Sequence, residues 1–338
     1  MKETGNAEVV NLQDPNREHR TYQLSYAFKQ QLMKSWRPKP TLKCAITIYL
    51  IIGLIFLALG IALLVKSDEI FEASYRYDNL CPVTKTNSTG STLCPISINI
   101  PNKVIGPVYF SYRVTNFYQN HRRYVQSISF NQLSAGVYVA TNTFSDCDPV
   151  TKNKDLFTKT ALDGTPLDPE AQAFPCGLVA RSLFNDSFTL NYTQNGSAQS
   201  FQLVEKGIAW PDDVNYRYKN SNGTYRSKQW ADVESERFMT WMKMSPFMDF
   251  RKTWGIIQQD MPAGNYTLYV QSNWDASIFK GEKWVVFSQT NAFGGTNYFL
   301  AYSYLAIGGL AILLSILFII RKVMRPKGML DKKLKEFA

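Results

Sequence analysis

The feature that most constrains this chain is an uninterrupted apolar run at residues 44–65, which contains no charged residue and is bounded by a lysine on each side. As an α-helix it is about 33 Å long, enough to cross a hydrocarbon core of about 30 Å. A second apolar run, residues 298–320, ends before two basic residues. The runs predict two transmembrane helices; the buried core helix of a soluble protein is the less favoured alternative.

Two spans leave an N-terminal tail (residues 1–43), a middle domain (residues 66–297) and a C-terminal tail (residues 321–338). The tails hold eight Lys/Arg against four Asp/Glu and seven against two, whereas the middle domain holds 22 against 21. The net charge of +10 therefore comes almost entirely from the tails. Basic residues beside a span mark its cytoplasmic side, so we predict cytoplasmic termini and an exoplasmic or lumenal middle domain. The tails would contact anionic lipid, and no nucleic-acid partner is expected.

Cysteine usage agrees with that topology. Four of the five cysteines lie in the middle domain, and only Cys44 lies at a membrane edge. Four cysteines can pair in three ways, and sequence order favours the one that closes two short loops: Cys81 with Cys94, and Cys147 with Cys176. A zinc site is the rival interpretation, but the middle domain has no CxxC motif and only one histidine. No metal site is predicted.

The middle domain also carries six Asn-x-Ser/Thr sequons without proline at x, and neither tail contains one. Six sequons confined to the compartment already predicted as lumenal indicate N-glycosylation. The candidate acceptors are Asn87, Asn185, Asn191, Asn195, Asn222 and Asn265.

Short segments of β-branched and aromatic residues predict the fold of the middle domain. They occur at residues 108–114, 187–193, 266–271 and 283–289, separated by Gly, Pro and Asn clusters. We expect a large, mainly antiparallel β domain flanked by the two transmembrane helices. Short helical insertions are predicted at residues 178–184 and 232–244, and an amphipathic helix in the N-terminal tail at residues 21–34.

No residue pattern predicts catalysis. His121 is the only histidine outside the N-terminal tail, and its polar, basic context favours a structural role. The acidic pairs Asp212/Asp213 and Glu234/Glu236 are expected to lie on solvated surfaces rather than to face each other as a glycosidase requires. The spans contain no ionisable residue at membrane depth, unlike most transporters. They do contain small residues, such as Gly53 and Gly60, that allow close helix packing.

Several motifs together resemble the Cdc50/Lem3 family of accessory β-subunits of P4-type ATPases, the phospholipid flippases. They cover most of residues 21–300 in family order. They are FKQQ (28–31) followed by Trp36 and Pro38, NFYQNHRRYV (116–125), PCGLVARSLFND (175–186), GIAWPDD (207–213), FRKTWG (250–255), PAGNY (262–266) and FGGTNYFL (293–300).

This resemblance implies a non-catalytic membrane subunit that forms a heterodimer with a P4-type ATPase and supports its folding, its exit from the endoplasmic reticulum and its phospholipid transport. It implies residence along the route to the Golgi, endosome or plasma membrane, and no cofactor or small-molecule substrate. Phe28, Trp36, Pro38, Gly53 and Gly60 are the candidate partner-binding residues. The family's second cysteine pair fits Cys147 and Cys176, whereas the additional pair that many relatives carry in the first loop is missing here.

Two other protein classes share the predicted topology. Two-span ligand-gated ion channels usually have many more exoplasmic cysteines than four. A membrane-anchored hydrolase would need a nucleophile motif and a suitably placed histidine, and the sequence offers neither.

Overall fold

The computed structural model describes residues 41–83, 93–136, 145–194, 197–221 and 225–324, together with Phe28 and Lys29. The predicted tail helix at residues 21–34 lies outside the described residues except for these two, which are helical. The described helices are α1 (Leu42–Asp68), α2 (Arg122–Gln126), α3 (Phe130–Ala135), α4 (Leu178–Arg181), α5 (Glu236–Met242) and α6 (Tyr298–Met324).

The chain divides into two compact units, one up to Ala58 and from Tyr304 onwards, the other from Leu59 to Ser303. The described helical parts of the first unit, residues 42–58 and 304–324, are named the helix pair, and residues 59–303 the β domain. Helices α1 and α6 each have 27 residues and are about 40 Å long. They include both predicted spans and extend beyond them.

Apolar side chains cover the outside of α1 and α6. Ile48, Leu54, Leu310 and Leu313 are each about half exposed. A soluble protein buries a helix of this composition, whereas a membrane helix presents such side chains to lipid. Both helices are therefore long and apolar enough to cross a membrane.

Eight strands form two antiparallel sheets of four strands each in the β domain. The first sheet has the order β1-β8-β3-β6 and the second β2-β7-β4-β5. The strands are β1 (Glu72–Arg76), β2 (Cys94–Ile100), β3 (Val108–Val114), β4 (Ser187–Gln194), β5 (Ser197–Phe201), β6 (Phe250–Ile257), β7 (Gly264–Gln271) and β8 (Lys283–Ser288).

Aromatic side chains from both sheets meet in the core. Phe110 on β3 and Trp254 on β6 contact Phe188 on β4, with ring centroids 5.2 Å apart in each case. Each contact is edge-to-face, the arrangement that aromatic pairs prefer. The two sheets therefore pack face to face through this cluster.

The predicted fold class is confirmed: two apolar helices flank a mainly antiparallel β domain with short helices. The four segments predicted as strands correspond to β3, β4, β7 and β8. The two helical insertions are shorter than predicted, at Leu178–Arg181 and Glu236–Met242. At the end of the first, the carbonyl oxygen of Ser182 has no partner within the helix and accepts a hydrogen bond from Trp274 Nε1 at 3.0 Å.

Two disulfides, Cys81–Cys94 and Cys147–Cys176, are present in the β domain. They are the two pairs that sequence order favours, and the second is fully enclosed by the fold. Cys44, on α1, is a free thiol and exposed.

Candidate functional site

The two long helices contact each other where a glycine of one meets a glycine of the other. A Cβ atom added to Gly53 would lie 2.6 Å from Ile312 Cγ1 and 3.1 Å from the Gly308 carbonyl oxygen. A Cβ added to Gly308 would lie 2.9 Å from the Leu57 backbone nitrogen. Such distances leave no room for a side chain, so these glycines allow the two backbones to approach closely.

Further contacts along the helix pair follow from this close approach. Ser315 is fully buried, and its Oγ donates a hydrogen bond to the Ile46 carbonyl oxygen at 3.2 Å. Phe56 stacks on Tyr304 with ring centroids 5.1 Å apart. The pair therefore combines small-residue packing with one interhelical hydrogen bond.

The opposite face of the second helix is open. Nothing lies within 4 Å of a Cβ added to Gly309, the neighbour of the contact residue Gly308. Ile307, Leu310 and Leu313 are also more than half exposed. This apolar face can contact either lipid or the transmembrane helix of another protein.

The predicted partner-binding residues have different surroundings. Phe28 is exposed, whereas Trp36 and Pro38 lie outside the described residues. Gly53 is buried in the contact with the second helix of its own chain, an arrangement that the prediction did not include. Gly60 is also buried. Contact of these residues with a partner protein stays a prediction.

The β domain contains a buried ion pair between Asp186, just before β4, and Lys283, the first residue of β8. Lys283 Nζ lies 2.6 Å from Asp186 Oδ2, and both side chains are almost completely buried. Tyr77 donates a hydrogen bond to the same oxygen at 2.7 Å. Burial and the negative charge of Asp186 raise the pKa of Tyr77 well above its usual value, so this phenol remains neutral.

The same ion pair holds a loop between the sheets. The backbone N–H groups of Asn273 and Trp274 both donate to Asp186 Oδ1 at 2.6 Å. Lys283 Nζ in turn donates to the Trp274 carbonyl oxygen at 2.6 Å and to Ser272 Oγ at 2.8 Å. Both charged groups are thus well supplied with hydrogen bonds, which buried charges require. Sequence reasoning missed this network because its members are far apart in the chain.

The motif at residues 116–125 supplies the other side of this region. Phe117 contacts Trp274 and Phe279, with ring centroids 5.4 and 5.2 Å away. Tyr124 forms a 2.7 Å hydrogen bond with the hydroxyl group of Ser182. The motif therefore packs against the segment at residues 175–186, and both motifs contribute side chains to the core of the β domain.

Three of the four acidic residues considered for catalysis have structural partners. Asp213 is buried, contrary to the prediction of a solvated surface, and its carboxylate lies 3.3 Å from Arg217 and 3.5 Å from Lys243. Glu236 Oε2 accepts three backbone hydrogen bonds of 2.8–2.9 Å, from Gly207, Ile208 and Ala209. Glu234 instead accepts from the Asn220 backbone at 3.0 Å. A carboxylate occupied by three N–H donors fixes a loop and is not free to act as a base. The GIAWPDD segment is therefore anchored by α5.

Lys252, on β6, is a second buried lysine. Its Nζ donates to the carbonyl oxygens of Thr240 and Trp241, both at 2.9 Å, and of Lys243. These carbonyls belong to the C-terminal turn of α5, where a cation is favoured. Burial lowers the pKa of Lys252 to about 7. Lys252 therefore fastens α5 to the first sheet.

The described part of the chain contains neither a metal-binding site nor an active site built on a histidine. His121 is exposed at the start of α2, where its carbonyl oxygen accepts backbone hydrogen bonds. Within the ranges that the structure describes, no three His, Cys, Asp or Glu side chains come together as a metal site requires.

Three of the six candidate glycosylation residues are described. Asn185 and Asn265 are exposed, and Asn265 Oδ1 accepts a hydrogen bond from Asn99 while Nδ2, the atom that carries a glycan, remains free to react. Asn191 is partly buried, and its Oδ1 has no partner. The remaining three, Asn87, Asn195 and Asn222, lie outside the described residues.

Two packed apolar helices, each long enough to cross a membrane, and a disulfide-bonded β domain place the protein in the class of two-span membrane proteins. The sequence matches the LEM3 (ligand-effect modulator 3) family / CDC50 family over residues 63–328. The protein belongs to this family.

Individual relatives cover nearly the whole chain. The sequence is 32% identical to cell cycle control protein 50A of Bos taurus over 329 residues, which cover 87% of each chain. It is 31% identical to ALA-interacting subunit 3 of Arabidopsis thaliana, over 90% of this chain and 87% of the relative. It is 26% identical to the phospholipid-transporting ATPase accessory subunit CRF1 of Saccharomyces cerevisiae, over 90% and 86%.

Proposed function

We propose that this protein is the non-catalytic accessory subunit of a P4-type ATPase, which moves phospholipid from the exoplasmic to the cytoplasmic leaflet. The observation that carries the proposal is family membership over residues 63–328, with a yeast relative whose name states this role. The two spans support it, because they offer a surface to the helices of a membrane enzyme. The ATPase hydrolyses ATP and contains the lipid path.

The proposed arrangement is a heterodimer. The exposed face of α6 around Gly309 packs beside the transmembrane bundle of the ATPase, while the β domain covers its exoplasmic loops. The tails, with Phe28, Trp36 and Pro38, contact it from the cytoplasmic side. This arrangement is supported by the open apolar face of α6 and by the excess of Lys/Arg in both tails.

The subunit also acts before transport begins. We infer that it covers apolar helix surface of the newly made ATPase in the endoplasmic reticulum, so that the complex can leave for the Golgi, endosome or plasma membrane. N-glycans on the exoplasmic domain accompany this route, and the free Asn265 amide supports their attachment. A rigid, disulfide-bonded domain suits this role, because it presents a prepared surface to its partner.

Depletion of the protein from its own cells tests the proposal. We expect the partner ATPase to be retained in the endoplasmic reticulum and inward uptake of fluorescent phospholipid at the surface to fall to background. Re-expression of the wild-type chain restores both, which provides the control. Unchanged ATPase location and unchanged uptake after complete depletion would contradict the proposed function.

A further inference from the structure

The β domain contains a cavity of about 800 Å³, a size typical of small-molecule sites. Its walls are mainly apolar and include aromatic side chains, among them Phe117, Phe184, Trp230 and Trp274. Polar groups, including the Arg181 side chain, lie at the same surface. Such a lining suits a ligand with apolar faces and a polar edge. Neither catalysis nor the disulfides account for it.

The aromatic walls are held in place by hydrogen bonds to the backbone. Trp230 Nε1 donates to the Pro175 carbonyl oxygen at 2.7 Å, and Trp274 Nε1 donates to the Ser182 carbonyl oxygen at 3.0 Å. The indole planes therefore do not have to be ordered when a ligand binds. A site formed in advance loses less conformational entropy on binding.

Asn185, the acceptor residue of a sequon, also lines this cavity and is exposed. Its backbone is held on the C-terminal side by two contacts. Asn273 Nδ2 donates to the Asn185 carbonyl oxygen at 3.0 Å, and the next residue, Asp186, forms the buried ion pair with Lys283. A group attached to the Asn185 side chain would thus start from a fixed point at the cavity.

We propose that the cavity is an intramolecular binding site for the first sugars of an N-glycan on Asn185. N-acetylglucosamine has a ring with apolar C–H faces that can pack on indole and phenyl rings, and hydroxyl and amide groups that can bond to the polar edge. Covalent attachment raises its effective concentration. The inference rests on the exoplasmic location of the β domain under the proposed function.

Asn265 provides an internal comparison. It is also exposed and in a sequon, but it lies on β7 beside Asn99 and is not part of the cavity lining. A glycan there projects from a strand into solvent. The two sites therefore differ in whether the first sugar has a surface to occupy.

The test is the rate at which peptide N-glycosidase removes each glycan from the folded full-length protein, followed by site-specific glycopeptide mass spectrometry. We expect release at Asn185 to be about tenfold slower than at Asn265, because the enzyme must wait for the sugar to leave the cavity. Denaturation should make the two rates equal. Equal rates in the folded protein would overturn the inference.

A pair of matched variants separates the cavity from general exposure. Phe157 lies at the cavity and is 74% exposed, while Phe247 lies elsewhere and is 72% exposed. Phe157→Ser should accelerate release at Asn185 several-fold, whereas Phe247→Ser should leave it unchanged. Asn185→Gln should also lower Tm by about 2–4 °C more than Asn265→Gln, because the aromatic lining loses its cover.

The outcomes distinguish this inference from the proposed function. Absence of glycans from all six sequons would contradict the exoplasmic location itself, whereas absence from Asn185 alone would overturn only the inference. A glycan on Asn265 alone, or a retained lipid molecule in the cavity with rapid release at Asn185, would overturn only the intramolecular binding site. Slow release that is insensitive to Phe157→Ser would likewise overturn it.

Discussion

The helix pair and the β domain are held together by opposite means. In the helix pair, Gly53 and Gly308 allow two backbones to touch, and one hydroxyl group, that of Ser315, bonds across. In the β domain, the buried charges of Asp186 and Lys283 join segments that are 97 residues apart. Packing of the helix pair depends on positions without a side chain, whereas the stability of the β domain depends on particular side chains.

This difference follows from the surroundings. Lipid offers no hydrophobic driving force between apolar helices, so close packing has to supply the association energy. Water around the β domain drives apolar burial, and the polar groups buried with it then need partners. We therefore expect substitutions to be most damaging where they remove a partner in the β domain, and where they add volume in the helix pair.

The largest effect is expected from breaking the buried ion pair. Asp186→Leu leaves the Lys283 ammonium buried without its counter-charge, which costs about 3–5 kcal/mol of unfolding free energy. Thermal unfolding of the purified protein measures the loss. The double variant Asp186→Leu/Lys283→Met should lose less than Asp186→Leu alone.

A surface ion pair at the first sheet is the control. Arg113 and Asp249 form a salt bridge with both side chains 41% exposed. Asp249→Leu should cost no more than about 1 kcal/mol, because solvent screens the exposed charges. Equal losses of unfolding free energy for Asp186→Leu and Asp249→Leu would show that the buried ion pair stabilises the β domain no more than a surface ion pair does.

The second effect concerns the Cys147–Cys176 disulfide, whose cysteines are 29 residues apart. Cys147→Ser should destabilise the β domain by about 2–5 kcal/mol, because the unfolded chain gains conformational freedom. The measurable result is retention of the protein in the endoplasmic reticulum. Cys44→Ser, which removes the free thiol, should be delivered normally. Normal delivery of Cys147→Ser would show the prediction to be wrong.

The third effect tests the helix pair by adding volume. Gly53→Leu forces a side chain against Ile312 and Gly308, which should cost about 1–3 kcal/mol through overpacking. Gly309→Leu adds the same side chain where nothing lies within 4 Å.

Chemical crosslinking reports on this contact. Cysteines introduced at Tyr49 and Phe318, whose rings lie 5.8 Å apart, should be joined by a short bismaleimide crosslinker in a Cys44→Ser background. Gly53→Leu should abolish the crosslink and Gly309→Leu should preserve it. The reverse order would contradict the arrangement described for the helix pair. Loss of ATPase binding with Gly309→Leu alone would locate the partner on the open face of α6.

The smallest effect is expected from Ser315→Ala. The variant loses the hydrogen bond to the Ile46 carbonyl oxygen but keeps the small side chain. Interhelical hydrogen bonds in membranes contribute about 0.6 kcal/mol on average, so the Tyr49/Phe318 crosslink should weaken only slightly. Complete loss of that crosslink would mean that the hydroxyl group, rather than the glycine contact, holds the helices together.

The sequence predicts the parts of this protein whose cause is local. Two long apolar runs predict α1 and α6, and the alternating segment at residues 108–114 predicts β3 with the same bounds. Strand β6 was not predicted, because the buried Lys252 makes an inward-facing position look polar. The partner that buries it, the C-terminal turn of α5, is known only once the chain is folded.

The functional residues show the same limit. The glycines of the spans and the four cysteines of the middle domain are visible as residue types in a sequence. The ion pair of Asp186 with Lys283 gives no local signal, because either residue alone suggests an exposed charge. The cavity beside Asn185 likewise depends on rings that distant segments contribute, such as Phe117 and Trp274.

Purification of the full-length protein from its own cells in a mild detergent, with mass spectrometry of everything that remains bound, tests the assignment as an accessory subunit. We expect a P4-type ATPase at a one-to-one ratio, retained by Gly309→Ala and still present after removal of the glycans. Recovery of the chain alone, folded and at full yield, would contradict the assignment as an accessory subunit.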